Sequence, residues 1–284
     1  MIIKIIKKVI AQSFGVMRKL QWLYQYYTLK IEKKHFKAEL LNLNQFNKIM
    51  ILIPHADDEL IGCYNIIKNS KKQVVGYYLG FNGSNKSEEN AIIRKNEIES
   101  IANALDFKLK ISNGDRNKQL MRILINENPD LICVPSFIDW HNEHIEANRI
   151  LINVLEKLKD KRVKVNILTY QVSVPMLEKD ITHFQSMSKI SQNEKWHLFK
   201  VYKSQEYMPS FRFKLNEKVS GKLISCYAAE VYRLFRYDEY KEEFNKWERI
   251  DKSQLKRDIN NLINIRKIVN KMKCYRGTVF YGQP

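Results

Sequence analysis

The sequence predicts an α/β fold built on a mainly parallel sheet. Three observations carry the prediction: short apolar runs that read as buried strands, longer stretches with helical apolar spacing between them, and regular alternation of the two from about residue 47. Two of the runs end directly in clusters of His and carboxylate residues. Ligands in such sheets bind outside the carboxyl ends of the strands, so those clusters are where function should be sought.

Residues 1–40 read as helical and basic, with Ile2, Ile5, Ile6, Val9 and Ile10 able to line one face. Nine Lys and Arg against Glu32 and Glu39 give this stretch a charge of +7, and Trp22, Tyr24, Tyr26 and Tyr27 follow the apolar positions. A basic amphipathic helix with interfacial aromatics can lie on an anionic membrane surface; the alternative is packing on the main domain or a second subunit. The alternating pattern then runs through Lys48–Pro54 (strand), Val74–Leu79 (strand), Asn90–Leu105 (helix), Leu120–Glu127 (helix), Leu131–Pro135 (strand), Ile145–Leu158 (helix) and Val163–Tyr170 (strand). Asp251–Met272 reads as one amphipathic helix through Leu255, Ile259, Leu262, Ile263, Val269 and Met272. The expected organisation is a helical extension over 1–46, a main domain over 47–240 and a helical extension over 241–284.

At 284 residues, 44% of them hydrophobic, the chain can bury a sizeable core. No internal repeat or low-complexity tract interrupts it. The net charge of +18 suits anionic partners, but the basic residues are spread along a chain also rich in Asn and Ile, which biased codon usage alone would produce. No recognised nucleic-acid motif accompanies the charge, so nucleic acid is not the expected partner. Cys63, Cys133, Cys226 and Cys274 form no C-x-x-C pair, which fits reduced thiols in a cytoplasmic compartment. No apolar run approaches the roughly 20 residues of a membrane span. Lys4, Lys7 and Lys8 break the apolar stretch that a secretory signal would need. The expected location is cytoplasmic, with peripheral contact at the inner membrane face through residues 1–30; a homo-oligomer is compatible with the sequence.

After the first strand come Pro54-His55-Ala56-Asp57-Asp58-Glu59. Three adjacent carboxylates repel one another, and something positive should compensate. His and one Asp can ligate a borderline metal, while a second carboxylate can take a proton from the metal's water, whose pKa falls to about 7 on zinc. The alternative is a helix start capped by Asp57 or Asp58. After LICVP come Asp139-Trp140-His141-Asn142-Glu143-His144, where the two His, three apart at a helix start, can face the same way. Either can complete the ligand set, and Glu143 can orient one of the rings.

These two segments resemble the motifs of the LmbE-like, or PIG-L, de-N-acetylases. His55-Ala56-Asp57-Asp58-Glu59 matches the family's His-Pro-Asp-Asp-Glu, and His141-Asn142-Glu143-His144 matches its His-x-Asp-His. Arg94-Lys95-Asn96-Glu97, Asn128-Pro129-Asp130 and Lys203-Ser204-Gln205 extend the similarity, which covers about residues 47–240. The resemblance implies a Rossmann-like three-layer sandwich and hydrolysis of an N-acetylated amino sugar, such as a glycan, glycolipid or nucleotide-sugar precursor. It implies that His55, Asp58 and His144 hold Zn2+, with Fe2+ compatible. Asp57 would be the general base, His141 the oxyanion stabiliser or general acid, Arg94 a substrate contact, and Glu59 and Glu143 supports for the ligands. The sequence departs from the pattern at Ala56, at Glu143 and at Tyr64, which stands where it would narrow the pocket. Two readings from other classes compete: a non-haem iron oxygenase, which also uses two His and one carboxylate but commonly on a double-stranded β-helix, and a non-catalytic basic module for membrane or nucleic acid.

Overall fold

The computed structural model describes residues 2–31, 36–70, 73–83, 87–158 and 165–278. Along them run α1 (Ile2–Thr28), β1 (Glu39–Leu40), β2 (Lys48–Ile53), α2 (Asp58–Asn69), β3 (Gln73–Tyr78), α3 (Glu88–Ala104), β4 (Lys108–Ile111), α4 (Arg116–Glu127) and β5 (Leu131–Pro135). There follow α5 (Asn142–Leu158), β6 (Asn166–Tyr170), β7 (His183–Met187), α6 (Lys189–Leu198), α7 (Ser210–Ile224), β8 (Ala228–Arg236), α8 (Tyr237–Glu248), α9 (Ser253–Asp258) and α10 (Asn264–Thr278). Residues 163 and 164 of the expected strand, residues 32–35 of the first basic stretch, and residues 279–284 of the last extension lie outside the described residues.

The strands form one sheet in the order β1-β7-β8-β6-β5-β2-β3-β4. Every pairing is parallel except the two made by β8, which runs antiparallel to β6 and β7. The α/β class read from the sequence is the class observed. Period-two alternation along β2 explains the layers. Ile49, Ile51 and Ile53 pack into the core on the α2 and α3 side, whereas Met50 and Leu52 pack into the core on the α4, α5 and α8 side. A strand buried on both faces has to read as a continuous apolar run, and KIMILI does. The sheet is not the double-stranded β-helix that the oxygenase reading calls for.

The order also places the site. From β2 the chain steps outward to β3 and β4, then returns across β2 to β5 and steps the other way to β6. The switch point therefore lies between β2 and β5, paired in register at Ile51 and Cys133. A crevice opens there because the two connections leave in opposite directions. The His and carboxylate clusters follow these two strands.

Two sequence expectations need correction. Asp251–Met272 is not one helix but α9 and α10, broken over residues 259–263. The Asn261 side chain accepts from the backbone of Ile263 and Asn264, ending one helix and starting the next, as Asn does where it competes with the helix ladder. The break is pinned from α1: Trp22 donates to the Asn260 carbonyl at 2.6 Å, and Gln25 accepts from the Leu262 amide at 2.9 Å. Tyr64 does not line the cleft beyond β2 and β5. It sits on α2 in the core, its hydroxyl reaching Glu194 at 3.4 Å.

α2 lies unusually close to the sheet. A Cβ built on Gly62 would come 2.1 Å from the Tyr170 ring, so only glycine allows this approach. Gly62→Ala is expected to cost about 1–3 kcal/mol of stability by overpacking, read as a lower midpoint in urea unfolding; an unchanged midpoint would disprove the close-approach argument.

Candidate active site

The chain turns from β2 into α2 within four residues, and the turn is strained. Asp57 has φ +143°, a region that L side chains rarely adopt, and its carboxylate makes no capping bond although it occupies the N-cap position. Such strain persists only where neighbours hold it, and it clusters at functional sites. Asp58 accepts from the His55 amide at 2.9 Å, and Glu59 accepts from the Asp57 amide at 3.2 Å. The capped-helix alternative therefore fails for Asp57, whose side chain is left for other work.

The second loop closes on the first. His55 Nδ1 lies 3.2 Å from Asp58 Oδ2 and 3.2 Å from His144 Nε2, and His144 Nε2 lies 3.4 Å from Asp58 Oδ1. These three groups are 89 residues apart at the extremes, yet all are buried within one contact shell. Ligands about 2.0–2.1 Å from a tetrahedral ion are separated by about 3.3–3.4 Å, so the spacing fits one small cation. His141 belongs to the same cluster: its ring lies 4.5 Å from that of His55 and 5.0 Å from that of His144, and the three imidazoles alone offer donor atoms within 4.8 Å of one another.

Each ring has a partner that fixes it or a reason to lack one. His144 Nδ1 contacts Asp139 Oδ2 at 3.1 Å, the carboxylate–imidazole pairing that supports many metal ligands. Asp139 was not among the residues singled out from the sequence, since a lone Asp two residues before His141 carries no signal of its own. Glu143 does not orient His144 or His141; it reaches across to His55 Nε2 at 2.6 Å. Its oxygen is 3.8 Å from His141 Nδ1, too long for a hydrogen bond, and that nitrogen has no partner among the described residues.

Burial and crowding set the protonation. Burial, reinforced by the charge of Asp58, pushes Asp57 up to about 7, against the pull of Arg94. Burial also works to raise Asp58, but the charges of His144 and His55 outweigh it and hold Asp58 well below the usual carboxylate range. For both His144 and His55 burial acts downward, but the Asp58 charge outweighs it together with hydrogen bonds to Asp58 and to Glu143 (for His55) or Asp139 (for His144), so both are raised. His141 is pulled down to about 4 by burial and by the two neighbouring rings, which leaves it neutral at pH 7. Burial pushes Glu59 up to about 8, and it accepts a short hydrogen bond from the Tyr202 hydroxyl.

Around this floor the walls are polar. The cleft has a volume of about 360 Å³ and is lined by both loops together with Asn82, Arg94, Ser204 and Gln205. Arg94 is buried 3.7 Å from Asp57 Oδ1, and it also donates to the Ala56 carbonyl at 3.4 Å. Glu97, one helical turn from Arg94, accepts from the Ser204 amide at 2.8 Å and from its hydroxyl at 2.6 Å. The Arg-x-x-Glu and Ser-Gln segments noted in the sequence thus meet at one wall. Four buried polar atoms of the cleft residues have no partner among the described residues: Asn82 Oδ1, Arg94 Nε, Trp140 Nε1 and His141 Nδ1.

No protein-family model matches the chain, and no curated protein is significantly similar to it in sequence. Solved structures are similar to it in fold. An N,N'-diacetylchitobiose deacetylase from Pyrococcus horikoshii, 19% identical, aligns over 71% of this chain and 89% of its own with a TM-score of 0.59. A conserved protein from Thermus thermophilus, 17% identical, aligns over 66% and 94% with a TM-score of 0.55. The zinc-inhibited form of a teicoplanin deacetylase, 10% identical, aligns over 66% and 98% with a TM-score of 0.52. The chain shares the fold of these proteins across nearly their whole length.

A divalent cation is expected to bind once per chain. Because His55 and His144 are both raised, part of each ring's population must lose a proton first, so binding should release protons and weaken as pH falls. Calorimetry of metal-stripped protein with Zn2+ in buffers of different ionisation enthalpy measures this. Asp139→Ala should weaken affinity about 10- to 100-fold, and His144→Ala should remove the site. Full affinity in His144→Ala would exclude the cluster.

Proposed function

We propose that this protein is a member of the LmbE-like de-N-acetylases and hydrolyses the acetamide of an N-acetylated amino sugar. The observation that carries the proposal is a buried, strained carboxylate, Asp57, immediately before Asp58, at which His55 and His144 converge. Asp57, Asp58, His55 and His144 all line the same cleft, so a ligand and a base would face one small volume. The fold shared with two deacetylases supports the reading. So do the four unpartnered polar atoms of the cleft, which suit a hydroxyl- and amide-rich ligand.

His55, Asp58 and His144 would hold Zn2+, and Fe2+ suits the same nitrogen and oxygen donors. When bound, the cation supplies Lewis acidity toward the amide carbonyl and the attacking water. Asp57 takes a proton from that water as it attacks. Burial works to make it a stronger base than an ordinary aspartate, against the lowering that a bound cation brings, and it is largely ionised above neutrality. His141, neutral and with Nδ1 unpartnered among the described residues, donates a hydrogen bond to the oxygen that gains charge. Asp57 then returns its proton to the nitrogen, the C–N bond breaks, and amine and acetate leave. Arg94 holds the Asp57 carboxylate in place and reaches the acetyl end of the substrate. Glu143, Asp139 and Glu59 fix His55, His144 and the strained turn.

Acetate release across a panel of N-acetyl sugars, lipid-linked sugars and nucleotide sugars tests the activity; no turnover of any member counts against it. Asp57→Asn should retain metal and lose about 100- to 10,000-fold in kcat, the usual worth of a general base. Turnover near that of the parent would remove Asp57 from the role.

The pH profile follows from the same residue. Asp57 must be ionised to act, so kcat/KM should fall as pH drops through its pKa. A bound dication pulls that value down from the metal-free position of about 7, and the acid limb is expected at or below 7. An acid limb clearly above 7 would contradict the assignment.

A further inference from the structure

α1 has two faces of different chemistry. One face docks: Trp22 and Gln25 are buried against the break between α9 and α10, and Trp22 packs with Leu215 of α7. The other carries Val16, Met17, Leu20, Tyr24 and Tyr27, between 57% and 75% exposed. At about 100° per residue these five positions fall within an arc of about 100°, opposite the docked face. Five of the twelve large apolar side chains exposed among the described residues therefore line twelve residues of one helix. A continuous stripe of that kind marks an interaction surface. Residues 15–21 are exposed on every side, so this part of the helix stands clear of the body.

Charge identifies the partner. Residues 1–28 contain Lys4, Lys7, Lys8, Arg18 and Lys19 and no Asp or Glu, a charge of +5. A second copy of the helix laid along the stripe would bring two such segments together with no acidic residue to pair them, unlike a coiled coil with complementary flanks. An anionic bilayer meets both requirements, taking the apolar stripe between its headgroups and the lysines at its surface. At the end of α1 a cleft of about 580 Å³ gathers Lys30, Lys179, Arg266 and Lys267, with Glu178, 3.1 Å from Arg266, as the only carboxylate lining it among the described residues. Tyr24 and Tyr27 supply rings suited to the headgroup level. No described helix is long and apolar enough to cross a membrane, so a contact of this kind would be peripheral.

We propose that α1 docks this protein peripherally on anionic lipid bilayers through Val16, Met17, Leu20, Tyr24 and Tyr27. Docking does not depend on the proposed chemistry, and its test needs no substrate.

The full-length protein is floated with vesicles of phosphatidylcholine alone, or of phosphatidylcholine with phosphatidylglycerol, at low and high salt. Binding is expected to be at least about tenfold tighter to the anionic vesicles and to weaken at high salt. The double variant Leu20→Glu/Tyr24→Glu, changed only on the exposed face, should lose a further tenfold or more while its circular dichroism and Tm stay at parental values. Equal binding to both vesicle types, no binding to either, or unaltered binding by the double variant would overturn the proposal. So would a dimer in sedimentation equilibrium that the double variant splits, since the stripe would then be a contact between copies.

Discussion

Everything at the site depends on three adjacent carboxylates being buried where β2 turns into α2. Asp57, Asp58 and Glu59 are each at most 3% exposed, and burying one unpaired charge is already costly. The fold divides the burden among them. Asp58 keeps its charge because His55 and His144 stand on either side. Asp57 is left poised near neutrality by burial and the charge of Asp58, against the opposing pull of Arg94. Glu59 is driven toward its neutral form and held by Tyr202 and the Asp57 amide. Three like residues in a row thus come to differ in how readily each ionises, set by what each one faces.

Holding that arrangement requires α2 to be fixed, and much of the remaining structure does so. Tyr170 presses against Gly62 while donating to the Leu52 carbonyl of β2 at 2.8 Å, tying helix to strand. Along α2 a buried lysine, Lys195, donates to the Ile61 carbonyl and to Glu230 of β8 at 2.7 Å each, and Glu230 accepts from the Asn65 amide at 3.0 Å. A buried ion pair of this kind adds little net stability, but these bonds define where the helix stands. The opposite wall is set by Glu97, which ties α3 to the turn carrying Ser204 and Gln205.

The legible parts of this protein were those written in local pattern. β2 and β5 are continuous apolar runs because both their faces are covered, and α3 and α5 lie within a few residues of where their spacing put them. β1, two residues long, has no pattern to read; it exists because the Glu39 and Leu41 amides find carbonyls beside β7. β8 was likewise unread, since its direction is decided by the strands it inserts between. The single helix expected over Asp251–Met272 was broken by partners on α1, more than two hundred residues away in sequence.

The sequence by itself determined the α/β class, the two polar loops and the residue types available for chemistry, because each of these rests on neighbours in the chain. Only the tertiary structure decided which groups face which. It paired Asp139 rather than Glu143 with His144, sent Glu143 to His55, left His141 Nδ1 without a partner among the described residues and moved Tyr64 out of the cleft. The physical reason is range. Apolar periodicity is set over a few residues, whereas hydrogen bonds and charge couplings between buried side chains depend on distances of a few ångströms between segments whose separation along the chain carries no such information.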